Sequence, residues 1–175
     1  MASASPQRRA ILEDAGIPFT VVPANVEEEI EGEAAAVAER NARRKATAVP
    51  GPLVLGADTV VVLDGDILGK PADRDQARAY LERLNGRTHE VVGAIALAED
   101  GNIVASAVET TRVTFRRRTD EELDAYVDTG EWTGRAGGYA IQETGGSALV
   151  ERVDGDYLNV VGLPLRRLRA LLDAR

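Results

Sequence analysis

Charged side chains that can act together on a polyphosphate occur at several points of the sequence. The cations near predicted helix ends and loops are Arg8, Arg9, Lys45 and Lys70. The carboxylates of an acidic loop and an apolar strand are Glu27, Glu28 and Asp58. Arg and Lys bind phosphate oxygens, while carboxylates bind divalent cations and can orient or deprotonate water. The combination predicts chemistry on a metal-bound polyphosphate.

Asp58 is the most informative of these residues because it interrupts the apolar run from Leu53 to Leu63. Asp is depleted in strands, and an apolar interior strongly disfavours a bare carboxylate unless it is paired or binds a metal. A structural alternative is that Asp58 caps a turn or pairs with a basic side chain. The apolar residues on both sides favour a functional role.

The first predicted helix begins with residues that suit an anion site. Ser5 is a good N-cap, and Pro6 suits the first helical position. Ser3, Arg8 and Arg9 would then gather near the free backbone N–H groups of that helix, which favour phosphate. An ordinary capped surface helix is the alternative.

Helices and strands alternate early in the chain, and hairpins dominate later. After the first helix we predict a strand at 18–23, an acidic loop at 25–33, a helix at 33–49, a hairpin at 53–71 turning at Asp64-Gly65, a helix at 73–86, a hairpin at 88–116, a helix capped by Thr119, paired strands at 139–142 and 148–153, and a last helix from Leu165. This order indicates an α/β fold, with a mixed twisted sheet and flanking helices.

Composition narrows the possible classes of protein. A length of 175 residues and a hydrophobic share of 44% fit a single domain spanning 1–175. The net charge of −8 argues against a nucleic-acid-binding surface. Because there is no Cys and only one His, any metal would be bound by oxygen, as Mg²⁺ or Mn²⁺ is. With no signal peptide or long apolar run, we expect a soluble cytoplasmic protein without a membrane partner.

Walker A and dinucleotide-binding patterns are absent, but a set of shorter motifs resembles the Maf family of nucleoside triphosphate pyrophosphatases. The motifs run in family order across almost the whole chain. They are Ala4-Ser5-Pro6 with Arg8-Arg9, Gly56-Ala57-Asp58-Thr59, Leu68-Gly69-Lys70-Pro71, Leu84-Asn85-Gly86-Arg87-Thr88-His89, Ala136-Gly137-Gly138-Tyr139-Ala140-Ile141-Gln142 and Val160-Val161-Gly162-Leu163-Pro164.

The resemblance implies two lobes around a deep nucleotide-binding cleft, a homodimer, and metal-dependent cleavage between the α- and β-phosphates to give a nucleoside monophosphate and pyrophosphate. It assigns catalysis to Asp58 as proton acceptor and to Lys70. The implied substrate-binding residues are Ser3, Ser5, Arg8, Arg9, Lys45, Thr59 and Gln142. The implied ligands of Mg²⁺ or Mn²⁺ are Glu27, Glu28 and Asp58.

Substrate preference in the family follows three positions. Thr59 and Gln142 match the subgroup that acts on dTTP and UTP, with modified nucleotides as further expected substrates. A Gln amide offers one donor and one acceptor, which can meet O4 and N3–H of uracil or thymine. Gln7 departs from the pattern, because it stands where the family normally has the first of two arginines.

Two further features bear on the expected site. Only Met1 and Ala2 precede Ser3, where the family usually has an apolar strand, so we expect a very short first strand or none. His89 is assigned a structural or site-lining role, because Asp58 already fills the role of base. The alternative function is a nucleotide-binding regulator of septum formation without required turnover, although retention of the carboxylates and cations favours turnover.

Overall fold

The computed structural model describes every residue from Met1 to Arg175. The helices are α1 (Pro6–Asp14), α2 (Ala34–Thr47), α3 (Arg74–Leu84), α4 (Asp120–Asp128), α5 (Thr144–Leu149), α6 (Tyr157–Val161) and α7 (Leu165–Asp173), with a 3-10 turn at Ala136–Gly138. The strands are β1 (Val54–Leu63), β2 (Asp66–Leu68), β3 (Thr88–Glu99), β4 (Asn102–Phe115) and β5 (Val150–Asp154). No helix has the length and apolar composition needed to cross a bilayer.

The strands form one five-stranded antiparallel sheet in the order β2-β1-β3-β4-β5. In the β1–β2 hairpin Val61 pairs with Leu68, and Asp64 and Gly65 turn the chain with φ of 54° and 87°. At the other edge Val113 of β4 pairs with Val153 of β5. The predicted α/β class, a sheet with flanking helices, is confirmed.

Local capping explains where the helices begin. The Ser5 hydroxyl accepts a hydrogen bond from the Arg8 amide at 3.4 Å, and Pro6 occupies the first turn of α1. Both carboxylate oxygens of Glu33 accept amide protons at the start of α2. Thr119 and Glu122 form the reciprocal capping box of α4. These starts follow from short-range sequence signals, and the caps at Ser5 and Thr119 are as predicted.

The chain divides into two compact units. The first contains Met1–Thr59, Val92–Glu109 and Leu158–Arg175. Its main core joins the first and last helices to β1 and β3 through the buried residues Ile11, Leu12, Leu55, Ala57, Ile95, Leu97, Leu163 and Leu168. The second unit contains Val60–Val91 and Thr110–Tyr157, and within it α3 packs against α4.

The predicted pairing of strands at 139–142 and 148–153 is wrong. Residues 144–149 form α5, and only Val150–Asp154 is a strand, which pairs with β4. A distant carboxylate decides this, because Glu131 accepts the amide protons of Gly145 and Gly146 at 3.1 and 2.8 Å at the start of α5. The predicted strand at 18–23 is also absent. The backbone of this segment is instead hydrogen-bonded to the first residue. The Met1 amine donates to the Thr20 carbonyl, and the Val22 amide donates to the Met1 carbonyl.

Candidate functional site

A buried ion pair joins β1 to α2 in the first unit. The Lys45 ammonium donates to Asp58 Oδ1 at 2.6 Å and to Glu28 Oε1 at 2.7 Å. Asp58 is 5% exposed and Lys45 is 7% exposed. Pairing with a basic side chain, the structural alternative for Asp58, is therefore observed. Buried ion pairs contribute little net stability, so this one is better explained by what the three charges can do.

The close approach of α2 to β1 explains why these side chains meet. A Cβ placed on Gly56 would lie 2.1 Å from the Ala42 carbonyl oxygen and 2.6 Å from the Ala46 nitrogen. The helix backbone therefore rests directly on the strand. Lys45 and Asn41 are four residues apart, so they share the helix face that is turned to Asp58.

Asn41 fixes the second oxygen of Asp58 and was not predicted from the sequence. Its Nδ2 donates to Asp58 Oδ2 at 3.0 Å and to the Glu29 carbonyl at 2.9 Å, while its Oδ1 accepts the Glu29 amide at 2.8 Å. This clamp holds the acidic loop beside Lys45, where Glu28 makes its contact. The only sequence signal is an Asn inside a helix, one turn before Lys45.

Arg8 forms a second buried cationic centre in the same unit. Its Nη1 donates to Ser3 Oγ at 3.1 Å, its Nη2 to Thr59 Oγ1 at 3.2 Å and its Nε to the Gly162 carbonyl at 2.9 Å. Burial lowers the pKa of Arg8, and the negative charges of Asp58 and Glu28 oppose that effect. The structure thus brings together Ser3, Arg8 and Thr59 of the predicted binding residues.

The neighbouring predicted residues Ser5 and Arg9 make other contacts at the start of α1. The Ser5 hydroxyl caps the helix and donates to the side-chain oxygen of Gln7 at 3.2 Å. Arg9 is exposed and pairs with Glu13 at 2.8 Å, one turn along the same helix. Of the two arginines, therefore, Arg8 is the one held beside Thr59.

The predicted metal ligands fit a divalent cation only in part. Glu28 and Asp58 both direct a carboxylate oxygen at Lys45 Nζ, while Glu27 is exposed in the loop. The chain holds no cluster of three or more carboxylate or imidazole groups placed to hold a metal. Two converging carboxylates nevertheless fit Mg²⁺ or Mn²⁺, because such ions commonly take one or two protein carboxylates and complete their shell with substrate phosphates and water.

Lys70 and Gln142 belong to the second unit. Lys70 is exposed just after β2, next to Gly69, whose carbonyl accepts the Gly137 amide at 3.0 Å. Gln142 is exposed between the 3-10 turn and α5. The Tyr126 hydroxyl accepts the Ala140 amide at 3.2 Å, which fixes the backbone two residues before Gln142.

His89 lies in an aromatic cluster of the second unit. Its Nε2 is 2.9 Å from the Tyr139 hydroxyl, and its ring meets those of Phe115 and Tyr139 edge-on. His89 is only 2% exposed, and burial lowers its pKa from 6.5 to about 4. A buried neutral imidazole in such surroundings agrees with the expected structural role.

His89 should make the protein less stable in mild acid. Because its pKa is lower in the folded chain than the ordinary 6.5, the unfolded chain binds more protons as the pH falls below 6.5, and the loss levels off below about 4. We expect this residue alone to lower the free energy of unfolding by about 2 kcal/mol between pH 7 and pH 5. Urea unfolding at both pH values measures the loss. His89→Gln, which does not titrate, is the control, and an equal loss in this variant would refute the assignment.

The whole chain, residues 1–175, matches the family model described as Maf-like protein. Among its relatives, a dTTP/UTP pyrophosphatase of Thermus thermophilus is 48% identical over 176 residues, covering 100% of this chain and 93% of the relative. Proteins of the same name from Symbiobacterium thermophilum and Syntrophomonas wolfei are 46% and 45% identical, covering 98% and 100% of this chain and 91% and 96% of the relatives. The chain belongs to the Maf family.

Proposed function

We propose that this protein is a metal-dependent nucleoside triphosphate pyrophosphatase that cleaves between the α- and β-phosphates, releasing a nucleoside monophosphate and pyrophosphate. The observation that carries the proposal is the buried Asp58–Lys45 pair, which Glu28 of the exposed acidic loop joins, in the same unit as the buried Arg8. The relatives named dTTP/UTP pyrophosphatase support this reading, and their similarity confirms the prediction of an enzyme.

Arg8 and Lys45 are the proposed phosphate-binding cations of the first unit. The Arg8 guanidinium has five N–H groups, and its bonds to Ser3, Thr59 and Gly162 use three of them. The remaining two can bind a phosphate oxygen, while the Ser3 hydroxyl adds a further polar contact. From the family resemblance we also assign phosphate contacts to Ser5, Arg9 and Lys70.

Asp58 is the proposed base. Its two oxygens offer about four lone-pair sites, of which Lys45 and Asn41 occupy two, so the carboxylate is oriented and can still accept a proton from water. The water oxygen bonds to one of the two phosphorus atoms flanking the α,β-bridging oxygen, and the bond from that phosphorus to the bridge breaks. The water proton passes to Asp58. Lys45 stabilises the negative charge that develops on the phosphate oxygens in the transition state, while Arg8 holds the triphosphate equally in the bound substrate and in the transition state.

From the family resemblance we assign Mg²⁺ or Mn²⁺ to Glu27, Glu28 and Asp58, and of these three Glu28 and Asp58 direct their carboxylates at the same point. A metal ion bound there supplies charge neutralisation at the phosphate oxygens and lowers the pKa of a bound water. Asp58 would then serve both as ligand and as proton acceptor. Glu28 is the stronger candidate of the two loop carboxylates, since it already contacts the cation that Asp58 contacts.

Thr59 and Gln142 are the proposed selectivity residues for dTTP and UTP, and clearance of modified nucleotides is the proposed use of the activity. The names of the relatives support these pyrimidine substrates. Gln7 replaces an arginine at the third position of the family pattern, so selectivity depends on the other two residues. The homodimer, the cytoplasmic location and the absence of nucleic-acid or membrane partners stay predictions.

A substrate panel tests the proposal. We expect UTP and dTTP to be converted to monophosphate and pyrophosphate with Mg²⁺ or Mn²⁺, and EDTA to abolish the conversion, because it removes the metal ion proposed to neutralise phosphate charge and activate water. Ion chromatography of the products measures it, with ATP, GTP and modified pyrimidine triphosphates for comparison. Release of orthophosphate would refute the cleavage position. Tight binding without turnover under any divalent metal would instead favour the regulator.

A further inference from the structure

Asn159 fastens the short helix α6 to two strands of the first unit. Its side chain is fully buried, and its Nδ2 donates to the Glu109 carbonyl of β4 at 3.2 Å. A Cβ on Gly93 of β3 would lie 1.9 Å from Asn159 Oδ1, so the amide rests directly on that strand. Glu109 is itself anchored, because its carboxylate pairs with Arg167 of α7.

Helix α6 depends on such an anchor because it has only five residues. An isolated helix of that length is unstable in water, so tertiary contacts must hold it. The chain leaves α6 at Gly162, whose amide donates to the Leu158 carbonyl at 3.0 Å. Gly162 has a φ of 135°, which residues with a side chain rarely adopt. The orientation of its carbonyl is therefore set by the anchored helix and this turn.

The Gly162 carbonyl is the point at which α6 reaches the candidate site. It accepts hydrogen bonds from Arg8 Nε at 2.9 Å and from Thr59 Oγ1 at 3.4 Å. One oxygen thus orients both the proposed phosphate-binding cation and a proposed selectivity residue. We propose that Asn159 is a positioning residue for triphosphate binding, acting through the Gly162 carbonyl on Arg8 and Thr59. This inference rests on the proposed function and adds a residue that touches no substrate.

Loss of the Asn159 amide should weaken substrate binding more than the chemical step. Without this amide, α6 and the Gly162 carbonyl that follows it are no longer held against β3 and β4. Arg8 then spends part of its time turned away from the phosphate. Asp58 is oriented by Lys45 and Asn41 of α2, so proton transfer keeps its geometry. We therefore expect Asn159→Ala to raise KM for UTP about tenfold, while kcat falls less than threefold.

Asn85→Ala is the matched control. Asn85 also joins two segments through its amide, since Nδ2 donates to the Arg118 carbonyl at 2.9 Å and Oδ1 accepts the Arg118 amide at 2.8 Å, but both residues belong to the second unit. Both variants should lower the thermal midpoint, and only Asn159→Ala should raise KM when both are assayed well below it. Equal KM changes in the two variants, or an unchanged KM in Asn159→Ala, would overturn the proposal.

A double-mutant cycle tests the route of the effect. Arg8→Lys removes the Nε–H that Gly162 accepts, so adding Asn159→Ala to it should raise KM less than twofold further. A full tenfold increase on the Arg8→Lys background would show that Asn159 acts by another route. The KM-against-kcat split and this coupling are readouts that a purely structural role would not move.

A third measurement needs no variant and stands even if Asn159→Ala does not fold. In the wild-type protein, the Arg8 Nε proton should exchange with solvent far more slowly than that of Arg9, whose Nε pairs with Glu13 on the surface. Equal exchange rates would overturn the proposal. Wild-type protein that releases no pyrophosphate from any triphosphate would count against the proposed function, whereas normal release with unchanged KM in Asn159→Ala counts against this inference alone.

Discussion

Asp58→Asn should lower kcat for pyrophosphate release about a thousandfold, because the variant loses the proposed proton acceptor. The side chain keeps its size, but its amide must turn a donor toward Lys45 Nζ or Asn41 Nδ2, which are themselves donors. Steady-state hydrolysis of UTP measures the loss, and binding of a non-hydrolysable UTP analogue shows whether the site still takes the triphosphate.

Asp64→Asn is the matched control for this prediction. Asp64 lies just beyond the end of the same strand, where its carboxylate pairs with Arg87 at 2.7 Å in an exposed ion pair. Exposed ion pairs contribute little to stability, and no catalytic role is proposed for this carboxylate. Its substitution should therefore leave kcat within twofold of the wild type. If Asp58→Asn hydrolyses UTP as fast as Asp64→Asn does, Asp58 is not the base.

Lys45→Met should destabilise the fold as well as abolish turnover. It removes the cation between Asp58 and Glu28 and leaves the Asp58 carboxylate buried without its charge partner. Breaking a buried pair in this way costs about 3–5 kcal/mol, which for a chain of this size lowers the thermal midpoint by roughly 10 °C. Thermal unfolding at pH 7 measures the change.

Two comparisons make the Lys45 prediction specific. Arg44→Met, one residue earlier in α2, removes an exposed pair with Glu29 and should cost less than about 1 kcal/mol. The double variant Lys45→Met/Asp58→Asn should recover part of the stability lost in Lys45→Met, because no uncompensated charge stays buried. Equal destabilisation by the Arg44 and Lys45 variants would contradict the assignment of a buried pair.

Features decided within a few residues could be predicted from the sequence. The N-cap at Ser5, the capping box at Thr119 and the turn at Asp64-Gly65 all form where the local pattern indicates. Asp58 could be singled out for the same kind of reason, because its apolar neighbours already imply burial that a carboxylate must offset. The cost of burying a carboxylate is by itself the reason to expect that Asp58 either pairs with a cation or acts chemically.

Features decided by partners distant in the chain could not be predicted. Asn41 clamps a loop backbone twelve residues earlier, and nothing near Asn41 in the sequence identifies Glu29 as that partner. Residues 144–149 contain two glycines and resemble a turn, but the carboxylate of Glu131 supplies the start of a helix there. The same holds for Asn159, whose burial against Gly93 and Glu109 becomes visible only once the strands are placed.

The absence of a side chain at Gly56 matters for the design of a similar site in another protein. The separation of α2 from β1 is set by backbone touching backbone at that position. A methyl group there would push the helix away and lengthen the 2.6 Å contact between Lys45 and Asp58. A design that copies only the charged residues into a new scaffold would reproduce the side chains but not the distances between them. The smallest set of residues that would reproduce this site in another scaffold therefore includes a residue that has no side chain.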